Sequence, residues 1–578
     1  MHKSAILIAF ALFCTVATAA SAPAPVRLAY NYCTLSYTFA YYGENEWVEE
    51  IDRLAKKGYN VAVVMDGTYK VWELTLRDLG CDEKDIFAFL PDECARAWWL
   101  MGNLEGEGGP LNQAIIDEDG RRGRFICDKM RERGIEPLLQ GFYGMVPTYL
   151  AERMRSLHTI PQGKWGGGEA YDRPAILDPT SEAFARFAAI WYKNIENVYG
   201  FKPKYLAGDL FHEGGETGGL DVTASVRAVQ AAQQTAFPGV TWVVQAWQAN
   251  PTAAVCAGLD PRFTLIERLV DDMSSGSEEY WIEGFGELPW IWCEVLNFGG
   301  NHGLYGNLKT FARMGRAARG PAAKTFRGYG SLSEGFFTNP VCYDLFEDMM
   351  MRPLGTELTD DELAAWLDNW VDKRYDLTNS KLHEAWRILS ETAYACPNRQ
   401  EGAVDNLICA VPKWDVVCAR TWAPKTGLYY DASKLEKALT LMEEVAANVS
   451  LTEAFKCDLY DLRRQVRANK LRALLPRLKD DAASREEFLA IGESMCEPDA
   501  YVPEKFRLSY WEDLARRRAG ERGVKAWRRM ITTWVNDSFG HTSLEDYANR
   551  EYPELIRDYY LPRWRKFFFL YLHTYQEA

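Results

Sequence analysis

Seven acidic side chains, Asp66, Asp209, Glu213, Asp271, Asp272, Glu294 and Glu334, stand at or just past the ends of short apolar runs. Glu213 lies in GDLFHEGGET (208–217), where such a run meets a glycine turn. The aromatic residues Tyr37, Trp98, Trp247, Trp292 and Phe298 occupy comparable positions. Carboxyl groups in pairs, set among aromatic faces, suit hydrolysis of a glycosidic bond. One carboxyl gives its proton to the leaving oxygen, and the other, ionised, attacks or stabilises the anomeric carbon. Flat rings supply the surface on which the apolar side of a sugar stacks. The plainer reading of Trp98, Trp247 and Phe298 is core packing, and of Asp66 and Asp209 the capping of helix amino termini. Strand position makes Glu294 and Glu334 near equals as the partner of Glu213.

Other chemistries find less support. There are seven histidines, with no H-E-x-x-H and no close His/Asp cluster, so neither a catalytic metal nor any other cofactor is expected. No G-x-S-x-G elbow and no phosphate-binding P-loop occurs. The glycine-rich stretch LNFGGNHGLYGN (296–307) carries His302 but lacks the P-loop lysine and serine, and reads as a tight turn bringing backbone close to a ligand. Thirteen cysteines without a C-x-x-C pair define neither a zinc framework nor a disulfide scaffold.

The elements that must hold these residues alternate. Apolar runs at 26–33, 60–67, 135–144, 204–211, 241–247, 263–272, 290–298 and 326–335 read as strands. Amphipathic segments lie between them, such as NEWVEEIDRLAKKG with Trp47, Ile51 and Leu54 on one face, and SEAFARFAAIWYKNIENVYG opening on a Ser181 cap. Strand and helix repeated in this way predict an α/β fold, a (β/α)8 barrel, whose active site collects at the carboxyl ends of the strands. No G-x-G-x-x-G follows the first strand, as a doubly wound nucleotide-binding sheet would require. Beyond residue 355 the period is helical throughout, starting with a capping box from Thr359 to Glu362. The expected division is a leader over 1–22, a catalytic barrel over 23–355 and an all-α domain over 356–578.

Residues 1–22 read as a secretory signal peptide: His2 and Lys3, an apolar run from Ala5 to Val16, then small residues. The protein is therefore expected to be exported, with no membrane span. A formal net charge of −15 argues against nucleic-acid partners and favours neutral or weakly charged glycans.

NFGGNHGLYG (297–306) and GYGSLSEGFFTNP (328–340), together with NYCTLSYTF (31–39) and WWLMGNLEGEGGPL (98–111), resemble the lysosomal and bacterial alpha-N-acetylglucosaminidases, retaining exo-acting glycoside hydrolases. The likeness runs from Tyr30 to SLEDYANREY (543–552) and YYLPRWRKFF (559–568). It implies a barrel carrying the catalytic pair and a helical domain completing the pocket. It places the acid/base at Glu213 and the nucleophile at Glu334, and gives the pocket Asn31, Cys33, Tyr37, Trp98, Met101, Trp247, Phe298 and Tyr547. Trp534 matches with a different spacing to Tyr547. As the acid, Glu213 is expected in less polar surroundings than Glu334.

Departures from the family pattern bear on specificity. His212 stands where the family has Asn, beside the 2-substituent of the sugar, and Cys293-Glu294-Val295-Leu296 replaces a Cys-Met-Leu-His stretch, adding a carboxylate near the mouth. The barrel is also expected to start almost directly after the leader, without the family's small amino-terminal domain. The partner implied is a glycan ending in an alpha-linked N-acetylhexosamine. N-acetylglucosamine leads; N-acetylgalactosamine or another hexosamine, and a catalytically silent carbohydrate-binding protein, are the alternatives.

Overall fold

In the computed structural model, residues 24–153, 157–165, 171–270, 284–397, 406–419, 427–496, 501–535 and 544–575 are described. The leader over 1–22, and Asp271 and Asp272, lie outside them.

Each of the eight apolar runs contributes a parallel strand. They are β1 (Val26–Ala29), β2 (Val61–Val63), β3 (Glu136–Gln140), β9 (Tyr205–Ala207), β10 (Thr241–Ala246), β11 (Thr264–Val270), β12 (Trp290–Glu294) and β13 (Phe326–Ser331). They close into a barrel in the order β1-β13-β12-β11-β10-β9-β3-β2. Strands of a parallel barrel are covered on both faces, which is why VAV and WIWCE are wholly buried and, Glu294 apart, read as unbroken apolar runs. Closure between β1 and β13 pairs Val26 with Gly328, at φ +147°, where a Cβ would lie 2.0 Å from the Val26 carbonyl oxygen. Only glycine allows this seam.

Helices pack around the barrel as their apolar stripes dictate. Glu44–Lys57 buries Trp47, Ile51 and Leu54 and stops at Gly58 in the left-handed region. Glu182–Tyr199 is capped by Ser181 Oγ, which accepts from the Phe184 N–H at 3.1 Å. The Thr359 capping box opens Asp360–Tyr375, the start of the helical carboxyl-terminal region. That region continues through Ala432–Ala446, Glu453–Leu474, Ala482–Cys496, Leu508–Met530 and Leu561–Tyr575.

Between β3 and the helix starting at Glu182 the chain makes an excursion that the apolar pattern did not signal. It consists of β4 (Met145–Val146), β5 (Thr159–Ile160), β6 (Lys164–Trp165), β7 (Tyr171–Asp172) and β8 (Ala175–Leu177). β6 and β7 form an antiparallel ribbon, while β4, β8 and β5 form a small sheet.

Candidate active site

At the carboxyl ends of the barrel strands lies a cavity of about 430 Å3. Behind β1, Asn31 Oδ1 accepts from the Cys33 N–H (3.1 Å) and starts the short helix Tyr32–Tyr37, so that Asn31, Cys33 and Tyr37 all face the cavity. Trp98 and Met101 come from the helix Arg96–Leu100 and its end, Trp247 follows β10, and Phe298 follows β12. Trp534 and Tyr547 arrive from the carboxyl-terminal region. Trp534 is fully buried at the cavity's edge; its Nε1 donates to Tyr37 Oη (2.9 Å) and its ring meets Trp98 edge-on, centroids 4.6 Å apart. This packing fixes an aromatic wall from both parts of the chain.

Glu213 and Glu334 share this cavity. Glu213 sits on a turn with φ 45° and ψ 48°, two residues after Phe211 at φ 61°, a left-handed conformation unusual for side chains of this size. Its carboxylate accepts from Asn103 Nδ2 (2.9 Å), Trp165 Nε1 (2.8 Å) and Trp247 Nε1 (3.1 Å). The apolar enclosure expected of an acid is therefore not what surrounds it: two indoles and an amide point at its oxygens. Glu334 follows β13 and is nearly buried. The Gly299 N–H donates to its Oε2, and Thr38 Oγ1 donates to its carbonyl oxygen (2.6 Å). The Cys33 thiol lines the same cavity. It hydrogen-bonds to Glu334, and burial, then the Glu334 charge, then the Glu213 charge push it well above the ordinary thiol range. Two carboxylates facing one cavity are the groups that acid-assisted hydrolysis of a glycosidic bond uses.

His212 also faces the cavity, with Nε2 3.9 Å from Glu213 Oε2. Burial lowers its pKa, opposed by the Glu213 charge and assisted by Arg173, so at neutral pH the imidazole is uncharged, with one donor and one acceptor.

Five residues expected at the mouth lie elsewhere. Glu294 does not line the cavity. It is fully buried behind β13, where Ser331 Oγ and Ser333 Oγ (2.6 Å to Oε2) both donate to it, and burial pushes its carboxyl up to about 7. His302 is likewise absent from the cavity: its ring packs against Phe506 and Tyr552, and its carbonyl accepts from Arg464 (2.6 Å). Trp292 turns outward, stacking on Phe346 with centroids 6.3 Å apart. On β12, Trp292 and Glu294 fall on one side of the strand while Val295, just past its end, borders the cavity. Asp66 and Asp209 are also outside the lining, each buried.

Sequence reading missed several of the cavity's residues. Lys164, Trp165 and Arg173 reach it from the β6–β7 excursion, and Gln245, Gln248, Leu269 and Leu544 complete parts of its wall. The tryptophan and arginine flanking the GGGEAYD stretch were the available signal, but two-residue strands carry no period to read.

No helix among the described residues is long and apolar enough to cross a membrane, and no group of three or more His, Cys, Asp or Glu among them could hold a metal ion.

Comparison with known proteins now places the chain. Residues 27–353 match the alpha-N-acetylglucosaminidase tim-barrel domain and residues 366–578 the carboxyl-terminal domain of the same proteins. The chain belongs to the alpha-N-acetylglucosaminidase family. Human alpha-N-acetylglucosaminidase is 27% identical over 94% of this chain and 74% of its own length. A family 89 glycoside hydrolase from Clostridium perfringens, solved in complex with PUGNAc, superposes with a TM-score of 0.87 at 28% identity, covering 95% of this chain. A form of the Clostridium perfringens protein with two glutamate-to-glutamine substitutions, in complex with its substrate GlcNAc-alpha-1,4-galactose, gives 0.85 at 27% identity. The chain spans 63% of the length of these solved family members.

Proposed function

We propose that this protein is an exo-acting, retaining glycoside hydrolase that releases terminal alpha-linked N-acetylglucosamine, with Glu334 as nucleophile and Glu213 as acid/base. The observation that carries the reading is that Glu213 and Glu334 line one aromatic-walled cavity. At about 430 Å3 the cavity lies toward the small end of ligand sites, which suits one terminal sugar. The family 89 complex with GlcNAc-alpha-1,4-galactose supports the substrate class.

In this mechanism Glu334, whose Oε2 accepts from the Gly299 N–H, attacks the anomeric carbon while Glu213 protonates the departing oxygen. A glycosyl-enzyme results. Glu213 then takes a proton from water, whose oxygen displaces Glu334, and the sugar leaves with its configuration retained. Trp98 and Trp247 offer ring faces for stacking, and neutral His212 a hydrogen bond beside the 2-substituent. We read the protein as exported, on the strength of the leader sequence over 1–22.

The test is hydrolysis of a chromogenic alpha-N-acetylglucosaminide, with the first-formed anomer followed by NMR. Turnover yielding the alpha anomer, reduced at least a thousandfold in Glu334→Gln and strongly in Glu213→Gln, is expected. The beta anomer would overturn retention. Turnover of an N-acetylgalactosaminide instead would reassign the sugar, and loss with every hexosaminide would leave a binding protein.

A further inference from the structure

Arg173 is nine-tenths buried yet spends its guanidinium on neutral oxygens. Nη1 donates to Asn103 Oδ1 (3.0 Å) and to the His212 carbonyl (2.9 Å), and Nη2 donates to the Glu213 carbonyl (2.8 Å). Asn103, itself fully buried, passes the contact on: its Nδ2 donates to Glu213 Oε2 at 2.9 Å. The cation therefore grips Glu213 at both ends, directly at the backbone and through one amide at the carboxylate. What it grips is strained, since Phe211 and Glu213 both lie at positive φ. Such a conformation persists only where the surroundings over-determine it. The planar fork of an arginine can hold two successive carbonyls and an amide in fixed directions, which a lysine ammonium cannot.

We propose that Arg173, just past β7, and Asn103, just past the helix Arg96–Leu100, are positioning residues for the acid/base, a clamp that fixes where the Glu213 carboxyl points. This rests on the reading of Glu213 given above. In this role both act through Glu213, although Arg173 also borders the cavity.

A merely structural role would depress all substrates alike, whereas loss of the acid depends on the leaving group. A 2,4-dinitrophenyl alpha-N-acetylglucosaminide departs without a proton, and GlcNAc-alpha-1,4-galactose needs one. Arg173→Met and Asn103→Leu are expected to lower kcat/KM about a hundredfold on the disaccharide and less than about tenfold on the dinitrophenyl substrate. Added azide should accelerate dinitrophenyl turnover by displacing the Glu334 carboxylate from the anomeric carbon, giving the alpha-glycosyl azide. Combined with Glu213→Gln, either substitution should add little. Should Arg173→Met not fold, Arg173→Lys, which keeps the charge and loses the fork, is expected to show the same pattern. Equal losses on both substrates, no azide product and additive double variants would overturn the proposal. If Glu213→Gln alone shows no dependence on the leaving group, the reading of Glu213 falls and the clamp with it.

Discussion

Gly299 joins backbone conformation to chemistry. It sits at φ +65°, and a Cβ there would lie 2.6 Å from the Tyr547 carbonyl oxygen, while its N–H donates to the proposed nucleophile Glu334. Gly299→Ala is expected to shift that N–H and lower kcat by roughly tenfold to a hundredfold, with the fold intact by circular dichroism. Glu294 shows a different kind of residue effect. Its side chain accepts from two serine hydroxyls with no cation beside it among the described residues, and burial pushes its carboxyl up to about 7 from an ordinary 4.5. The folded state thus keeps a proton that the unfolded chain has lost, so stability falls as pH rises from about 4.5 to 7. Glu294→Gln mimics the protonated form. It should be near neutral at pH 5 and stabilising by at most about 3 kcal/mol at pH 8, measured by urea denaturation at both pH values. An equal effect at both would show that Glu294 does not titrate in the fold.

The helix Leu508–Met530 is held by arginines whose partners lie more than 400 positions away. Arg518 pairs with Asp66 (2.9 Å), Arg522 with Glu93 (2.8 Å) and Arg529 with Asp92. Burial would raise Asp66, but Arg122, Arg518 and Arg96 together hold it well below the ordinary carboxylate range. The chain runs from this helix into Trp534, so the ion pairs help set the aromatic wall. Arg518→Met leaves the Ala40 and Tyr42 carbonyls without this donor and removes one of the three cations at Asp66. It is expected to destabilise by about 3 kcal/mol and to raise amide exchange in the helix, with KM affected more than kcat. None of this was legible beforehand, because charged pairs so far apart in sequence have no spacing to recognise. The eight barrel strands were legible for the opposite reason: each is a short apolar run closed by a turn. Glu294 was misplaced because strand-end position says where the backbone goes, not which way a side chain turns, and His302 because a glycine-rich turn brings backbone near a ligand without fixing where its side chains pack. Trp165 and Arg173 were missed because the β6–β7 ribbon is too short for its alternation to show. The pair Glu213 and Glu334 was placed by family likeness, since strand position alone left Glu294 equal to Glu334.

Over the whole molecule, the buried titratable groups divide by sign. Asp209 and Glu267, close together within the barrel, are pushed by burial up to about 7 and about 8, with the Asp209 charge adding to the rise at Glu267. Like Glu294 they hold protons in the fold that the unfolded chain releases, so each takes stability away as pH rises towards its folded value. His212 and His302 act in the other direction. Burial lowers both, so the unfolded chain binds protons that the fold refuses, and stability is lost as pH drops below about 6.5. Asp66, held low by its arginines, loses its contribution only at more acid pH. Between pH 4.5 and 6.5 the histidines and carboxyls oppose each other. Above 6.5 the histidines are neutral in both states, and below about pH 7.5, where the unfolded chain's thiols have yet to ionise, the raised carboxyls dominate, so unfolding free energy should decline from pH 6.5 to 7.5 at up to about 1.4 kcal/mol per pH unit for each carboxyl still protonated. Urea midpoints at half-unit steps from pH 5 to 7.5 read this slope. In Asp209→Asn/Glu267→Gln the decline above pH 6.5 should be much flatter, whatever the variant's absolute stability, because amides have no proton to lose. An unchanged slope in that variant would mean the two acids are already ionised within the barrel, which would require a counter-charge beside them.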